Sequence, residues 1–220
     1  MDSGSGRAEG PSDEGGAKAG AARARARSAP RRPGPSKAEL EAARDRLVPD
    51  VIAEDLRVLF CGINPGLTSG AVGHHFAKPG TRFWPSLHGS GFTPRQFRPD
   101  EEDELLSLGL GITNVVERTT AQADELSREE YVEGGRRLRE KVLRWRPRWL
   151  AVLGVTAYRE AFAERRAAVG PQDAEIGGAR VWVLPNPSGR NAHWQLGPLI
   201  GEFARLRRAA GLPDRSGGTA

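Results

Sequence analysis

Two short stretches of the sequence place asparagine, proline and glycine directly after apolar runs. Residues 62–66 (GINPG) follow the first apolar run, and residues 185–191 (PNPSGRN) follow the last one. Proline stiffens a turn, glycine permits close approach or a positive φ, and an asparagine amide is a neutral donor and acceptor. Either stretch alone is more typical of an ordinary turn. Two such stretches at one edge of a sheet favour a site that works with neutral groups and a positioned water.

A third stretch, residues 73–76 (GHHF), is followed at 79–84 by PGTRFW. Two adjacent histidines raise the alternative of a zinc site, but no further His or Cys cluster supplies the remaining ligands, so zinc is disfavoured. We interpret the stretch as a pocket wall, with an aromatic face for a flat ligand and an imidazole for a polar edge. The alternative is that Phe76 lies in the core and the histidines are solvated. Phe83 and Trp84 are expected in the core.

Phosphate-binding and serine-nucleophile motifs are absent from the sequence. It contains no G-x-x-x-x-G-K-[ST], no G-x-G-x-x-G after the first apolar run and no nucleophile elbow. A nucleotide hydrolase or a dinucleotide enzyme therefore has no support.

Four apolar runs predict the strands that position these stretches, at 56–63, 111–116, 149–153 and 181–184. The first run is nearly continuous, which is typical of a strand buried on both faces of a parallel sheet. Helical patterns alternate with the strands, so we predict a three-layer α/β/α domain with a central, largely parallel four-stranded sheet. Ligands bind beyond the carboxyl ends of such strands, where the first and last stretches lie.

Two capping boxes, each a serine followed three residues later by a glutamate, predict helix starts at Ser36 and Ser127. The first helix is expected to run through Arg46 and the second to end before Pro147. Two further helices are predicted, one at 156–165 and one that carries the apolar stripe Leu199, Phe203 and Leu206.

Charge and composition divide the chain. Residues 1–37 hold eight basic and four acidic residues and no Leu, Ile, Val, Phe, Trp or Tyr, so we predict a disordered basic tail. This tail carries most of the net charge of +5, either as a tether for a polyanion or as a plain solvated extension. We expect the globular domain at 38–212 and a disordered C-terminal end at 213–220.

The single cysteine, Cys61, excludes an intramolecular disulfide framework, a four-cysteine zinc site and a four-cysteine iron–sulfur cluster. The sequence has neither an apolar run of about 18 residues nor the apolar core of a signal peptide. It therefore predicts a soluble protein of a reducing intracellular compartment, with no membrane partner.

Taken together, the motifs resemble the mismatch-specific uracil/thymine-DNA glycosylase family, a branch of the uracil-DNA glycosylase superfamily. The similar strings are VLFCGINPGLTSGAVGHHFAKPGTRFW, GITNVVERTT, EGGRRL, and VLPNPSG followed by Arg-Asn-Ala-His-Trp; they lie within residues 56–207. GINPG together with NPSG is far more specific than either alone. GITNVVERTT and the histidine pair are more similar to the eukaryotic thymine-DNA glycosylases, and NPSG to the bacterial members.

The resemblance implies a monofunctional DNA glycosylase that needs no metal and no cofactor. It would hydrolyse the N-glycosidic bond of uracil, thymine or a damaged pyrimidine mispaired with guanine, and so initiate base-excision repair. Such enzymes extrude the base, which costs less in a mismatch. The implied partner is double-stranded DNA with a mismatched or damaged pyrimidine. We expect a cytoplasmic monomer, associated with the nucleoid in a bacterial cell.

The resemblance assigns catalysis to Asn64, which would hold the attacking water against C1′ of the sugar. An amide does not take up a proton near neutral pH, so positioning and electrostatics must supply most of the acceleration. Other branches carry aspartate at this position, so asparagine predicts a slower enzyme.

The resemblance also assigns a base pocket to Ile63, Gly66, His75, Phe76 and Asn114. Phe76 would stack on the flipped base, and main-chain groups of Ile63 and Phe76 would contact its edge. His75 would donate to the departing pyrimidine anion, and Asn114 would line the same pocket.

A loop that enters the DNA helix is implied at Asn186, Pro187, Ser188, Gly189, Arg190 and Asn191. It would contact phosphates and the orphaned guanine. Bacterial members usually have a leucine wedge where this chain has Arg190. The arginine would fill the gap by stacking on the guanine or by hydrogen bonding to it.

Two other classes of function remain as alternatives. One is a non-catalytic nucleic-acid-binding domain on the same scaffold, with the tail as its main contact. The other is a generic small-molecule-binding Rossmann-like domain, which does not explain NPSG followed by Arg190. Asn64 inside an intact GINPG favours the enzyme, because a pure binding protein does not need it.

Overall fold

The computed structural model describes Met1 and residues 34–217. Most of the tail predicted at 1–37, and the last three residues of the end predicted at 213–220, lie outside the described residues. The capping box at Ser36 is confirmed: its hydroxyl accepts from the Glu39 amide at 3.3 Å, and its own amide donates to the Glu39 carboxylate at 2.7 Å. The helix it begins, α1 (Lys37–Ala42), is shorter than the predicted one through Arg46.

In the part of the chain that the structure describes, five strands form one sheet, where the sequence predicted four. They are β1 (Val58–Gly62), β2 (Leu110–Asn114), β3 (Trp149–Leu153), β4 (Gly170–Ile176) and β5 (Ala179–Leu184). The order across the sheet is β2-β1-β3-β5-β4, and β2, β1, β3 and β5 run parallel. These four are the predicted strands, so the largely parallel α/β architecture is confirmed and the strand number is wrong.

The additional strand, β4, pairs antiparallel with β5 at the edge of the sheet. It carries no apolar alternation, because only its first and last residues are buried. Its sequence signal was the two-residue turn Gly177-Gly178 before β5. Both glycines have positive φ, 59° and 86°, as a tight hairpin turn requires.

Helices cover both faces of the sheet. They are α2 (Leu67–Val72), α3 (Phe83–Gly89), α4 (Glu104–Ser107), α5 (Arg128–Trp145), α6 (Val155–Phe162) and α7 (Leu196–Ala209), with short 3-10 turns at Pro99–Glu101 and Ala123–Glu125. The second predicted capping box begins α5, which ends before Pro147 as expected. No helix among the described residues is both long enough and apolar enough to cross a membrane.

The side chains of β1 alternate between two apolar clusters, one on each face of the sheet. Val58 and Phe60 pack in the cluster that α3 and α7 complete, while Leu59 and Cys61 pack in the cluster that α5 and α6 complete. All four side chains are fully buried. The sheet is therefore the middle layer of three, and both of its faces are covered.

Candidate active site

The loops after β1 and β5 meet around a cavity of about 530 Å³ at the carboxyl end of the parallel strands. Strands β1 and β5 flank β3, so the loops lie on either side of Leu153, the last residue of β3. The wall consists of Gly62, Ile63, Asn64, Gly66, Phe76, Lys78–Thr81, Thr120–Asp124, Leu153 and Asn186–Arg190. The two stretches that the sequence singled out thus form one site.

Asn64 lies in this wall with its amide nitrogen held from behind. Its Nδ2 donates to the Arg118 carbonyl at 3.1 Å and to the Thr120 hydroxyl at 2.7 Å. That hydroxyl itself donates to the Gln122 carbonyl at 2.7 Å, so its oxygen is left to accept from Asn64. Because a carbonyl only accepts, the nitrogen end of the amide must face this loop. Oδ1 points the other way and accepts no hydrogen bond from any residue of 34–217, which leaves it available to a water.

Phe76 forms the aromatic side of the cavity. Its ring stacks on Phe83, with centroids 4.0 Å apart and an interplanar angle of 22°. Phe83 is fully buried, as predicted, whereas Phe76 is partly exposed in the wall. Phe76 also has a φ of +50°, an uncommon backbone conformation for an aromatic residue that here belongs to the cavity wall. One face of the Phe76 ring is therefore held by the core residue Phe83, and the ring can stack on a flat ligand in the cavity.

The absence of a side chain at Gly62 lets Asn114 and Phe76 pack closely against the main chain at the end of β1. A Cβ at this position would lie 2.5 Å from Asn114 Oδ1 and 3.2 Å from the Phe76 ring. Asn114 Oδ1 thus lies immediately beside Gly62, a residue of the cavity wall.

His75 is buried behind the wall and is only 1% exposed. Its amide donates to the Glu102 carboxylate at 2.8 Å. Of its ring nitrogens, Nε2 lies 2.9 Å from the Pro49 carbonyl and Nδ1 lies 3.3 Å from Asn114 Nδ2. Burial lowers the pKa of this imidazole, against the opposing effect of Glu102. The His75 ring therefore lies behind the cavity wall, where it contacts Asn114 rather than the cavity itself.

The loop after β5 is tied to the segment before α3 by Arg82. Its guanidinium donates to the carbonyls of Gly189, Asn191 and Trp194, at 3.2, 2.8 and 2.7 Å. Its backbone amide also donates to the Pro187 carbonyl at 2.8 Å. One side chain thus holds three points of the loop.

Within that loop, asparagine side chains close the turns that precede and follow Arg190. Asn186 Oδ1 accepts from the Ser188 amide at 3.0 Å, and Asn191 Nδ2 donates to the Asn186 carbonyl at 3.0 Å. Arg190 itself is exposed, and its guanidinium donates to Gln122 Oε1 at 3.3 Å. The Arg190 side chain therefore spans the mouth of the cavity.

Not all of the predicted site residues reach the cavity. The wall contains Ile63, Asn64, Gly66, Phe76, Asn186, Pro187, Ser188, Gly189 and Arg190, whereas His75, Asn114 and Asn191 lie outside it. The sequence interpretation did not single out Thr120, Gln122 or Arg82. The first two follow a predicted strand, β2, at the same edge of the sheet, so the position of that strand was the available signal.

A family model of the Uracil DNA glycosylase superfamily matches residues 49–208, well over half of the 220-residue chain. The chain belongs to the uracil DNA glycosylase superfamily. Membership makes it a hydrolase, a DNA glycosylase that acts on uracil in DNA and serves DNA repair. The matched range includes every loop that lines the cavity.

Proposed function

We propose that the protein is a monofunctional glycosylase that excises uracil, thymine or a damaged pyrimidine mispaired with guanine in double-stranded DNA. The observation that carries this proposal is the Asn64 amide, whose oxygen is free beside a cavity with an aromatic wall at Phe76. That combination suits a flat base held in a pocket and a water held against its sugar.

Phe76 supports the stacking step. The extruded base would lie on the free face of a ring that Phe83 holds from the other side, which is how enzymes that act on extruded bases commonly grip them. The Phe76 amide donates no hydrogen bond within the described residues, so it is available to an oxygen of the base. A donor there would stabilise the negative charge that develops on the departing pyrimidine.

Asn64 supports the hydrolytic step. Its Oδ1 would accept from the attacking water, while Arg118 and Thr120 keep the amide from turning. The water adds to C1′, the bond from C1′ to the base nitrogen breaks with its electron pair on the base, and one proton of the water is lost to solvent. Because the amide does not take up that proton, bond breaking must run ahead of attack, as in an oxocarbenium-like transition state.

Arg190 supports the preference for guanine as the opposite base. It is an exposed arginine at the cavity mouth, on a loop made rigid by Arg82. A guanidinium matches the O6 and N7 acceptors of guanine. Lys78, also exposed in the wall, adds a second positive charge for phosphates.

Single-turnover excision on labelled duplexes tests the proposal, with uracil or thymine placed opposite guanine or adenine. We expect alkali-labile sites with uracil opposite guanine formed fastest. Tight binding of mismatched DNA without any excision would instead identify a non-catalytic binding protein.

Arg190→Ala tests the specificity part of the same proposal. It should reduce the preference for guanine over adenine opposite uracil by about 1–3 kcal/mol, the value of one good base contact. The control is Arg98→Ala, another exposed arginine, whose partners are Asp100 and Glu101 and which lies outside the cavity wall. An equal effect of Arg190→Ala on both pairs, or none, would remove mismatch specificity from this residue.

A further inference from the structure

The loop that holds the Asn64 amide, residues 115–120, has an anchor of its own on the side away from the cavity. On the near side, Asn64 Nδ2 donates to the Arg118 carbonyl at 3.1 Å and to the Thr120 hydroxyl at 2.7 Å. The direction of the amide therefore depends on how firmly the loop holds this carbonyl and this hydroxyl in place.

The side chain of Arg118 lies outside the cavity wall and binds three other segments of the chain. Its guanidinium donates to both carboxylate oxygens of Glu130, with Nη2 at 3.1 Å from Oε2. It also donates to Asp45 Oδ1 at 3.1 Å and to the Glu125 carbonyl at 3.3 Å. All three of its nitrogens are thus used, and they fix the loop to the start of α5, to the 3-10 turn before α5 and to the segment after α1.

Glu130 is a firm partner because the first turn of α5 holds it. The Ser127 amide donates to Glu130 Oε2 at 2.9 Å, and the Glu130 amide donates to the Ser127 hydroxyl at 3.2 Å. Hydrogen bonds from Arg118 and from the Ser127 amide lower the pKa of Glu130 to about 2, so its carboxylate stays charged near neutral pH. A bidentate arginine–carboxylate pair fixes direction as well as distance.

The Arg118 carbonyl is the contact that tells the two ends of the Asn64 amide apart. A hydroxyl can donate or accept, so the Thr120 side chain suits either end, whereas a carbonyl suits only the nitrogen. The Pro65 carbonyl also lies 3.2 Å from Nδ2, but it belongs to the next residue and moves with Asn64. If the Arg118 carbonyl shifts away, the amide can turn and present NH₂ to the water instead of Oδ1.

We propose that Arg118 is a positioning residue, whose guanidinium anchors its loop to α5 so that its own carbonyl keeps the Asn64 oxygen toward the cavity. The inference rests on the proposed function, since it takes Asn64 to be the group that holds the water. Arg118 touches neither the water nor the base and acts through the main chain. A change of its side chain should therefore alter the rate of excision rather than the affinity for DNA.

Arg118→Met removes the guanidinium and keeps an apolar stem. Single-turnover excision of uracil opposite guanine should fall about tenfold or more at saturating enzyme, because small displacements of a catalytic group are costly. The affinity for the same duplex should change by no more than about threefold, the scale of one exposed charge. Arg136→Met is the matched control, since Arg136 lies on α5 and binds Glu133 and Glu140 instead. It should leave both quantities unchanged.

The Asn64→Asp protein separates positioning from general damage. Both oxygens of a carboxylate accept, so a side chain that turns still presents an oxygen to the water. We expect Arg118→Met to slow excision by at most about threefold in this background, against about tenfold or more with asparagine in place. Equal losses in the two backgrounds would show that Arg118 only stabilises the fold, and would overturn the proposal.

Hydrogen exchange of the Asn64 side-chain amide, followed by ¹H–¹⁵N NMR, tests the anchor without any activity. The signal is assigned by its absence from the Asn64→Asp protein. Arg118→Met should speed this exchange about three- to tenfold, the value of one hydrogen bond, and Arg136→Met should not. Unchanged exchange in Arg118→Met would overturn the proposal. A protein that excises no uracil refutes the proposed function, while the exchange rates still decide whether Arg118 holds the amide.

Discussion

The catalytic role that we propose for Asn64 depends on the different surroundings of the two ends of its amide. The nitrogen is held by a backbone carbonyl and a hydroxyl, at 3.1 and 2.7 Å, and the oxygen is left free. Thr120 is 1% exposed, and its hydroxyl is itself fixed by the Gln122 carbonyl. A water bound to Oδ1 therefore has little freedom to leave the line of attack.

Asn64→Ala should retain binding to DNA that contains uracil opposite guanine and lose excision by about 10²-fold or more, since it removes the positioning of the water rather than a DNA contact. Single-turnover rates and equilibrium binding to the same duplex measure the two effects separately. Asn64→Asp serves as the control, because a carboxylate also orients and polarises a water and should retain uracil excision. Excision by Asn64→Ala at the native rate would refute the assigned role.

At the scale of elements, the site depends on how the loop after β5 is held. Arg82 connects the segment before α3 to the carbonyls of Gly189, Asn191 and Trp194. The two segments also touch directly, since a Cβ on Gly189 would lie 2.5 Å from the Gly80 carbonyl. The position of Arg190 over the cavity is thus set by contacts on the far side of its loop.

Arg82→Lys keeps the charge but replaces a planar fork by a point donor that cannot serve three carbonyls. Losing two such bonds, at about 1 kcal/mol each, should speed amide hydrogen exchange in residues 188–194 by about tenfold or more. Excision should fall with it, because the loop that carries Arg190 is no longer held.

Arg95→Lys is the matched control, because it makes the same substitution at an arginine outside the cavity wall. The partners of Arg95 are the carboxylates of Glu101 and Glu104. Exchange in residues 188–194 that is the same in both variants would show that Arg82 does not organise this loop.

For the whole molecule, the distribution of charge matters more than its sum. The net charge is +5. Residues 2–33 contain seven basic and four acidic residues, so they hold +3 of it, and the rest of the chain holds +2. The folded domain carries positive charge at the cavity, on Lys78 and Arg190. We expect the positive charge of the N-terminal segment to attract DNA of any sequence.

Deletion of residues 2–33 should weaken binding to all DNA sequences alike and leave Ser36 to cap α1. Loss of a net charge of 3 should reduce the slope of log affinity against log salt by at most about 2.7. Single-turnover excision at saturating enzyme should be unchanged, because no cavity residue is lost. Replacing Arg23, Arg25, Arg27, Arg31 and Arg32 by glutamine separates charge from length and should lower the slope without shortening the chain. An unchanged slope in both proteins would identify the segment as a solvated extension.

Local patterns in the sequence determined the elements and the edge of the sheet where the site lies. The apolar run of β1 predicted a strand buried on both faces, and the two capping boxes predicted the starts of α1 and α5. These features depend on side chains within a few residues of each other, or on the average burial of a short segment, so they are visible in one stretch of chain. Strand β4 was missed because its side chains are largely exposed at the edge of the sheet, where no apolar pattern is needed.

Tertiary structure alone decided what several site residues do. The sequence suggested that His75 meets the ligand, but its ring nitrogens are taken by Pro49 and Asn114, which lie 26 and 39 residues away in the chain. Arg82 likewise holds carbonyls more than 100 residues away. A hydrogen bond depends on where two atoms meet in space and on which of them carries the proton. Only the folding of β1, β2 and β5 into one sheet brings these distant residues together.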